Sequence, residues 1–257
     1  MIGAAARASL VVTLSLLLGL AASACRAAED PPATSDPPKE VESPAMKALA
    51  PVNAPETREG LAAAIVIDTS GSMEKAAARG NRTAKIDYAR AAAKDIVAQF
   101  AQYAEEHKGE PVLLAIDEFS QRDGLANCRE VVPMARPDRE KARAAIDRLR
   151  ADGGTPIGDA MITAKLALDA TGLARKHLLV VTDGENTTGY SAEEVAVAIS
   201  KRPEVERPSV YFVAFDIDAR VFAPISKSGA LLMSAASGKE LNETLDMLLR
   251  GKILIEK

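Results

Sequence analysis

Short unbroken apolar runs alternate along this chain with longer stretches in which apolar residues recur at helical spacing. Residues 62–67 (AAAIVI) form the first run, and an apolar run of this length predicts a strand buried on both faces. Over 86–106, Ile86, Ala89, Ala93, Ile96, Val97, Phe100 and Ala104 fall on one stripe, the pattern of an amphipathic helix. Strands are then expected at 111–116 and, shorter, at 130–135. Asp138 is placed to cap a helix reaching Leu149, and a further helix is expected over 156–169. Residues 177–182 read as another buried strand. Ser191-Ala192-Glu193-Glu194 is a capping box opening a helix to about Ser200. Strands follow at 209–215 and 228–233. Ser237-Gly238-Lys239-Glu240 is a second capping box, ahead of a helix with Leu241, Leu245, Leu248 and Leu249 facing inward. Residues 253–255 add a short apolar extension. Alternating strands and helices predict an α/β domain, a mostly parallel sheet with helices on both faces. The roughly 195 residues from 61 to 257 suffice for one domain of this kind.

The first 60 residues have a different composition. Residues 1–24 carry one charge, Arg7, and a stretch rich in Leu, Val and Ala that is short for a membrane span and reads as a secretory signal peptide. Its end, Leu20-Ala21-Ala22-Ser23-Ala24-Cys25, resembles a bacterial lipobox, which implies Cys25 as a lipidated first mature residue. The pattern departs from the usual one at Ala22, where Leu is common, and Ala22 with Ala24 would equally serve conventional cleavage. Lipidation implies a bacterial cell envelope protein. Arg26 stands where an Asp often retains lipoproteins at the inner membrane, so the outer membrane, facing periplasm or cell surface, is favoured. Residues 25–60 hold half of the 14 prolines and no aromatic residue, and are expected to form a disordered linker. With two cysteines in all, lipidation of Cys25 leaves Cys128 a free, buried thiol, while a Cys25–Cys128 disulfide is the alternative in an oxidising compartment.

Candidate chemistry gathers where the apolar runs end. Asp68-Thr69-Ser70-Gly71-Ser72 directly follows the first predicted strand, so a carboxylate and two hydroxyls alternate along a turn that Gly71 lets bend. Side-chain oxygens of this kind suit a hard divalent cation. Thr155 lies in the loop Gly153-Gly154-Thr155-Pro156 ahead of a predicted helix, and Asp183-Gly184 ends the 177–182 strand. Each piece also has a plain reading: an Asp/Ser turn, a helix cap with Pro156 at the first helical position, and a simple turn.

Taken together, these segments resemble the von Willebrand factor A domain family over roughly residues 61–250, and the five residues resemble its metal-ion-dependent adhesion site. The resemblance implies a Rossmann-like, doubly wound, mostly parallel sheet with one short antiparallel edge strand, placed at 130–135. It implies that Ser70, Ser72 and Thr155 touch a Mg2+ through their hydroxyls, with Ca2+ or Mn2+ as substitutes. Asp68 and Asp183 would act mostly through bound waters. It implies, finally, that an acidic residue of a partner protein completes the coordination.

Other chemistries find less support. A DTSG turn resembles that of aspartic proteases, but a long helix follows and no second copy occurs. No nucleotide-binding glycine loop is present. His107 reads as solvated and His177 as a strand-edge residue. A net charge of −4 without a basic stripe or aromatic platform argues against nucleic acid. The basic stretch from Lys75 to Arg90 reads chiefly as surface solvation, and Asp216 and Asp218 as rim residues on the site's side. The expected function is an envelope-anchored, cation-dependent protein-binding module without enzymatic activity. The alternatives are a scaffold with a structural metal and a metal-assisted hydrolase with Glu185 as base. The sequence assigns neither partner identity nor oligomeric state.

Overall fold

The computed structural model describes residues 42–51, 55–77 and 82–255, and a six-stranded sheet organises it. Its strands are β1 (Arg58–Asp68), β2 (Val112–Phe119), β3 (Cys128–Ala135), β4 (Leu173–Thr182), β5 (Ser209–Phe215) and β6 (Leu231–Ala235), in the order β3-β2-β1-β4-β5-β6. All neighbours pair in parallel except β2 and β3. The antiparallel edge strand is therefore β3, and the expected α/β architecture holds.

The helices are α1 (Pro44–Ala48), α2 (Lys85–Glu106), α3 (Arg139–Ile146), α4 (Ile157–Thr171), α5 (Ala192–Ser200), α6 (Ala223–Ser226) and α7 (Gly238–Leu248). Side chains alternate across β1 and so feed two cores. Leu61, Ala63, Ile65 and Ile67 pack with α2, α3 and α7, whereas Ala62, Ala64 and Val66 pack with α1, α4, α5 and α6. Burying each large aliphatic side chain contributes about 1.5–3 kcal/mol, which favours placing the strand that is apolar on both faces at the sheet centre. The predicted caps form: Asp138 accepts from the amides of Glu140 and Lys141, Ser191 from that of Glu194, and Ser237 from that of Glu240.

Several boundaries move for local reasons. β4 starts at Leu173 because Arg175 and Lys176, polar in sequence, find partners within the fold: Arg175 pairs with Glu110, and the Lys176 ammonium donates to the Val205 carbonyl at 2.7 Å. Gly172 ahead of it ends α4 at φ +63°, where a β-carbon would lie 2.9 Å from the Glu56 carbonyl oxygen. β6 starts at Leu231, three residues later than expected, because Gly229 turns at φ +91°. Helix α3 stops at Ile146, with Leu149 buried in the turn beyond. Residues 249–253 form one π-helical turn that buries Ile253, giving the apolar extension a core role.

The linker expectation fails over its last part. Ser43 caps α1 with Pro44 in the first turn, Ala45 and Leu49 are buried, and the Lys165 ammonium donates to the Leu49 carbonyl at 2.8 Å. Proline content suggested an extended tether, but Ser-Pro is also a helix start, and Ala45 and Leu49 stand one turn apart. The expected signal peptide over 1–24, Cys25 and the expected linker as far as residue 41 lie outside the described residues. Cys128 is a free thiol, half-buried against the α4 core rather than fully buried, and burial pushes it up to about 12. His177 does not sit at the edge of its strand, because β4 begins four residues earlier, at Leu173. It is fully buried in β4, one of the two central strands, with its ring stacked on Tyr211 and the ring centroids 5.9 Å apart. Among the described residues no helix is long and apolar enough to cross a membrane.

Candidate functional site

β1 and β4 pair in parallel as far as Ile67 and Val181, so the residues that follow, Asp68 and Thr182, emerge side by side. Asp68 is fully buried there. Its Oδ1 accepts from the Ser70 amide at 2.7 Å and its Oδ2 from the Thr182 hydroxyl at 2.6 Å. Burial is the largest influence on this carboxyl and pushes it up to about 6; the Ser70 and Thr182 hydrogen bonds oppose the rise, and the charge of Asp183 adds to it.

The turn after β1 is fixed by backbone bonds. The Thr69 amide donates to Phe119, the Gly71 amide to Gly153 at 2.9 Å, and the Met73 amide to Ser70. A short 3-10 turn, Gly71–Glu74, results. It brings the Ser70 and Ser72 hydroxyls within 3.0 Å of each other, and the Ser72 hydroxyl donates to Asp183 Oδ1 at 2.6 Å.

The loop that carries Thr155 is held equally firmly. The Asp152 amide donates to Thr69, and Gln121 and Gly154 exchange two backbone bonds. Gly153 sits at φ +83°, with a hypothetical β-carbon only 1.9 Å from the Gln121 carbonyl oxygen, so no other residue fits without moving the loop. The Thr155 amide donates to the Thr187 hydroxyl at 2.8 Å, and Thr187 returns a bond to the Thr155 carbonyl. Thr155 is not the helix cap: Pro156 takes that position without a side-chain cap bond. Thr155 Oγ1 and Ser72 Oγ instead flank Gly184, 3.6 Å and 3.8 Å from where a β-carbon on that glycine would lie. Asp68, Ser70, Ser72, Thr155 and Asp183 thus converge at the carboxyl ends of β1 and β4, where open α/β sheets bind ligands.

Two carboxylates and three hydroxyls, oxygen throughout, suit a hard divalent cation, and neutral hydroxyls leave much of its charge uncancelled. Among the described residues no three His, Cys, Asp or Glu side chains form a metal-holding group.

Two contributors escaped sequence reasoning. Thr182 was hidden inside an apolar strand. Lys85, in the basic stretch read as solvation, is buried instead, and its ammonium lies 2.9 Å from both Asp183 Oδ2 and Asp216 Oδ2. Asp216 is more than a rim residue, whereas Asp218 is exposed and pairs with Arg220, whose hydrogen bonds hold its carboxyl down at about 2. Glu185 is exposed. His177 lies five residues before Thr182 on β4, about 17 Å from the site at ~3.3 Å per residue. A groove of about 650 Å³, lined by residues including Ala174, Ser209 and Leu231, opens at the opposite end of the sheet.

Comparison with known proteins places this geometry. Residues 63–185 match the von Willebrand factor type A domain family, a segment that contains all five candidate ligands. The fold is similar to that of the PilB minor pilin of Streptococcus sanguinis (14% identity, TM-score 0.60), covering 79% of this chain and 63% of that one. It is similar to a von Willebrand factor type A protein of Catenulispora acidiphila (22% identity, TM-score 0.55, 75% and 42% covered). It is also similar to the vWF domain of the type V pili tip protein Mfa5 of Porphyromonas gingivalis (12% identity, TM-score 0.56, 77% and 97% covered). No curated protein matches the chain in sequence. The chain spans less than two thirds of the pilin's length, and at these identities the likeness to solved structures is one of fold. The matched segment, residues 63–185, is thus similar to the von Willebrand factor type A domain family, and the sheet built around it has the fold of these solved structures.

Proposed function

We propose that this chain is an envelope-anchored, non-enzymatic protein-binding module that works through a divalent cation at the end of β1 and β4. The observation that carries the reading is the convergence of the Ser70, Ser72 and Asp183 oxygens within hydrogen-bond distance, with Thr155 across Gly184. Ser70, Ser72 and Thr155 would hold the ion directly through their hydroxyls, with Asp68 and Asp183 holding its waters. Mg2+ suits this hard oxygen set, and Ca2+ or Mn2+ would substitute, since geometry and availability rather than raw affinity select among such ions. When bound, the cation supplies a positive centre able to accept a carboxylate from a partner protein. The buried backbone bonds that fix the turn after β1 keep the donors in place before any ion arrives, which lowers the ordering cost of binding.

Membership of pilus proteins among those with this fold supports a role in adhesion or assembly. A lipid on Cys25 would place the domain at a membrane surface, the outer membrane being favoured. In a pull-down from envelope extract, the wild-type full-length chain should capture a partner with Mg2+ and lose it with chelator, and Asp68→Ala should capture none in either. Capture that survives both chelator and Asp68→Ala would overturn the cation-dependent reading and leave a scaffold whose metal is structural.

A further inference from the structure

We propose that Lys85 is a tethered counter-ion that competes with the divalent cation for Asp183, and that Asp216 sets how strongly it competes. The inference rests on the cation site proposed above. Asp183 has a fully buried side chain, and its two oxygens are already engaged, Oδ1 by Ser72 and Oδ2 by the Lys85 ammonium at 2.9 Å. The ammonium is therefore a positive charge held against one of the site's own carboxylates. It cannot leave by a simple backbone swing: Lys85 opens α2, and its amide donates to the Lys75 carbonyl at 2.9 Å, pinning the helix start to the turn that carries Ser72. A lysine ammonium held between two carboxylates, 2.9 Å from each, carries its charge at neutral pH, where a cation would bind.

Asp216 supplies the other half of the device. It lies directly after β5 and is the one non-glycine residue with positive φ (+53°) among those described, a conformation that side chains other than glycine adopt at a cost. Its amide donates to the Ala235 carbonyl at 2.7 Å, and its Oδ2 meets the ammonium at 2.9 Å. A strained backbone thus delivers a carboxylate that draws Lys85 partly away from Asp183. Shared between two carboxylates, the ammonium satisfies Asp183 in the metal-free state yet yields to a doubly charged ion.

The test measures Mn2+ binding by electron paramagnetic resonance and Mg2+ binding by calorimetry on the full-length chain. Lys85→Met should tighten both about tenfold, since a unit charge a few ångströms from the ion is worth at least that at the dielectric of a protein surface. Lys85→Arg keeps the charge and should stay within about threefold of wild type. Asp216→Asn should weaken binding about threefold or more, by removing a negative charge and leaving Lys85 to Asp183 alone. A purely structural lysine would lower the melting temperature of Lys85→Met and leave the dissociation constants unmoved, which overturns the proposal. If Lys85→Met does not fold, an unchanged constant in Asp216→Asn overturns it equally. A wild-type chain that binds neither ion instead removes the cation site itself, and Asp68→Ala, expected to bind neither, marks that baseline.

Discussion

The Thr182 hydroxyl donates to Asp68 Oδ2 at 2.6 Å, joining the last residue of β4 to the last residue of β1 inside a fully buried environment. The bond does two things at once. It satisfies a carboxylate that has no solvent to turn to, and it aims the other oxygen of Asp68 at the Ser70 amide, which shapes the turn. Thr182→Val keeps the shape of the side chain and removes the donor. Leaving a buried acceptor unpaired costs about 1–3 kcal/mol, so urea denaturation should show a loss of that size. Cation affinity should fall with it. A variant as stable as wild type would mean that Asp68 finds another donor.

Stability should also fall on acidification through a residue remote from the site. Burial, with the charge of Arg175 adding to it, lowers His177 to about 4 from its ordinary 6.5. Because the folded value is depressed, the unfolded chain takes up the proton first as pH falls. The contribution of His177 is therefore fully present above about pH 6.5 and is lost progressively toward pH 4. The shift corresponds to on the order of 3 kcal/mol. Asp117 works in the opposite sense, since burial and Glu130 push it up to about 7, so that its ionisation costs stability as pH rises from 3.8. His177→Phe preserves stacking on Tyr211 and removes the imidazole. Its melting temperature, compared with wild type between pH 7 and pH 4, should fall less steeply; parallel curves would show that His177 does not titrate in this range.

Lys165 on α4 fastens α1 to the domain. Its side chain is fully buried, its ammonium pairs with Asp169, and it donates to the Leu49 carbonyl at 2.8 Å. Removing one partner of a buried ion pair costs about 3–5 kcal/mol because the other charge is left behind. Lys176, 3.6 Å from the other oxygen of Asp169, reduces that cost. Lys165→Met should therefore destabilise the chain by about 2–4 kcal/mol. Hydrogen exchange should show residues 43–50 opening before the sheet does. Protection of that segment equal to wild type would show that Ala45 and Leu49 alone hold α1 down.

The five candidate ligands were legible because each sits beside a local signal: an apolar run ending in a carboxylate, or a glycine pair ahead of a helix. Lys85 and Thr182 had no such signal, and Asp216, which does end an apolar run, was read only as a rim residue. Lys85 and Asp183 are 98 residues apart, and Thr182 and Asp68 are 114 apart, so only the sheet order brings them together. The parallel sheet and its antiparallel edge were legible from period and from resemblance, since strands apolar on both faces leave few other arrangements. α1 was missed because composition speaks for a whole segment, whereas two buried side chains and one carbonyl accepting from a lysine are enough to order a single turn. His177 was misplaced for a related reason: charged neighbours at Arg175 and Lys176 made the start of a central strand look like a margin.

Gly153 offers a way to separate the position of Thr155 from its chemistry. At φ +83° and with the Gln121 carbonyl 1.9 Å from a would-be β-carbon, Gly153→Ala must displace the loop that presents Thr155. The displacement breaks the two-bond bridge between Gln121 and Gly154 and the bond from the Gly71 amide to the Gly153 carbonyl, which link this loop to its neighbours. The strain and lost bonds should cost about 2–4 kcal/mol of stability. The sheet ladders do not involve residue 153, so the domain should remain folded. Thr155→Ala, by contrast, removes one hydroxyl and moves nothing. If Thr155 serves the cation by position, both variants should weaken Mn2+ binding to a similar degree, although only Gly153→Ala should melt earlier. Binding that survives Gly153→Ala but not Thr155→Ala would show the loop to be more accommodating than its backbone bonds suggest. Survival in both would remove Thr155 from the ligand set while leaving Ser70, Ser72 and Asp183 to carry it.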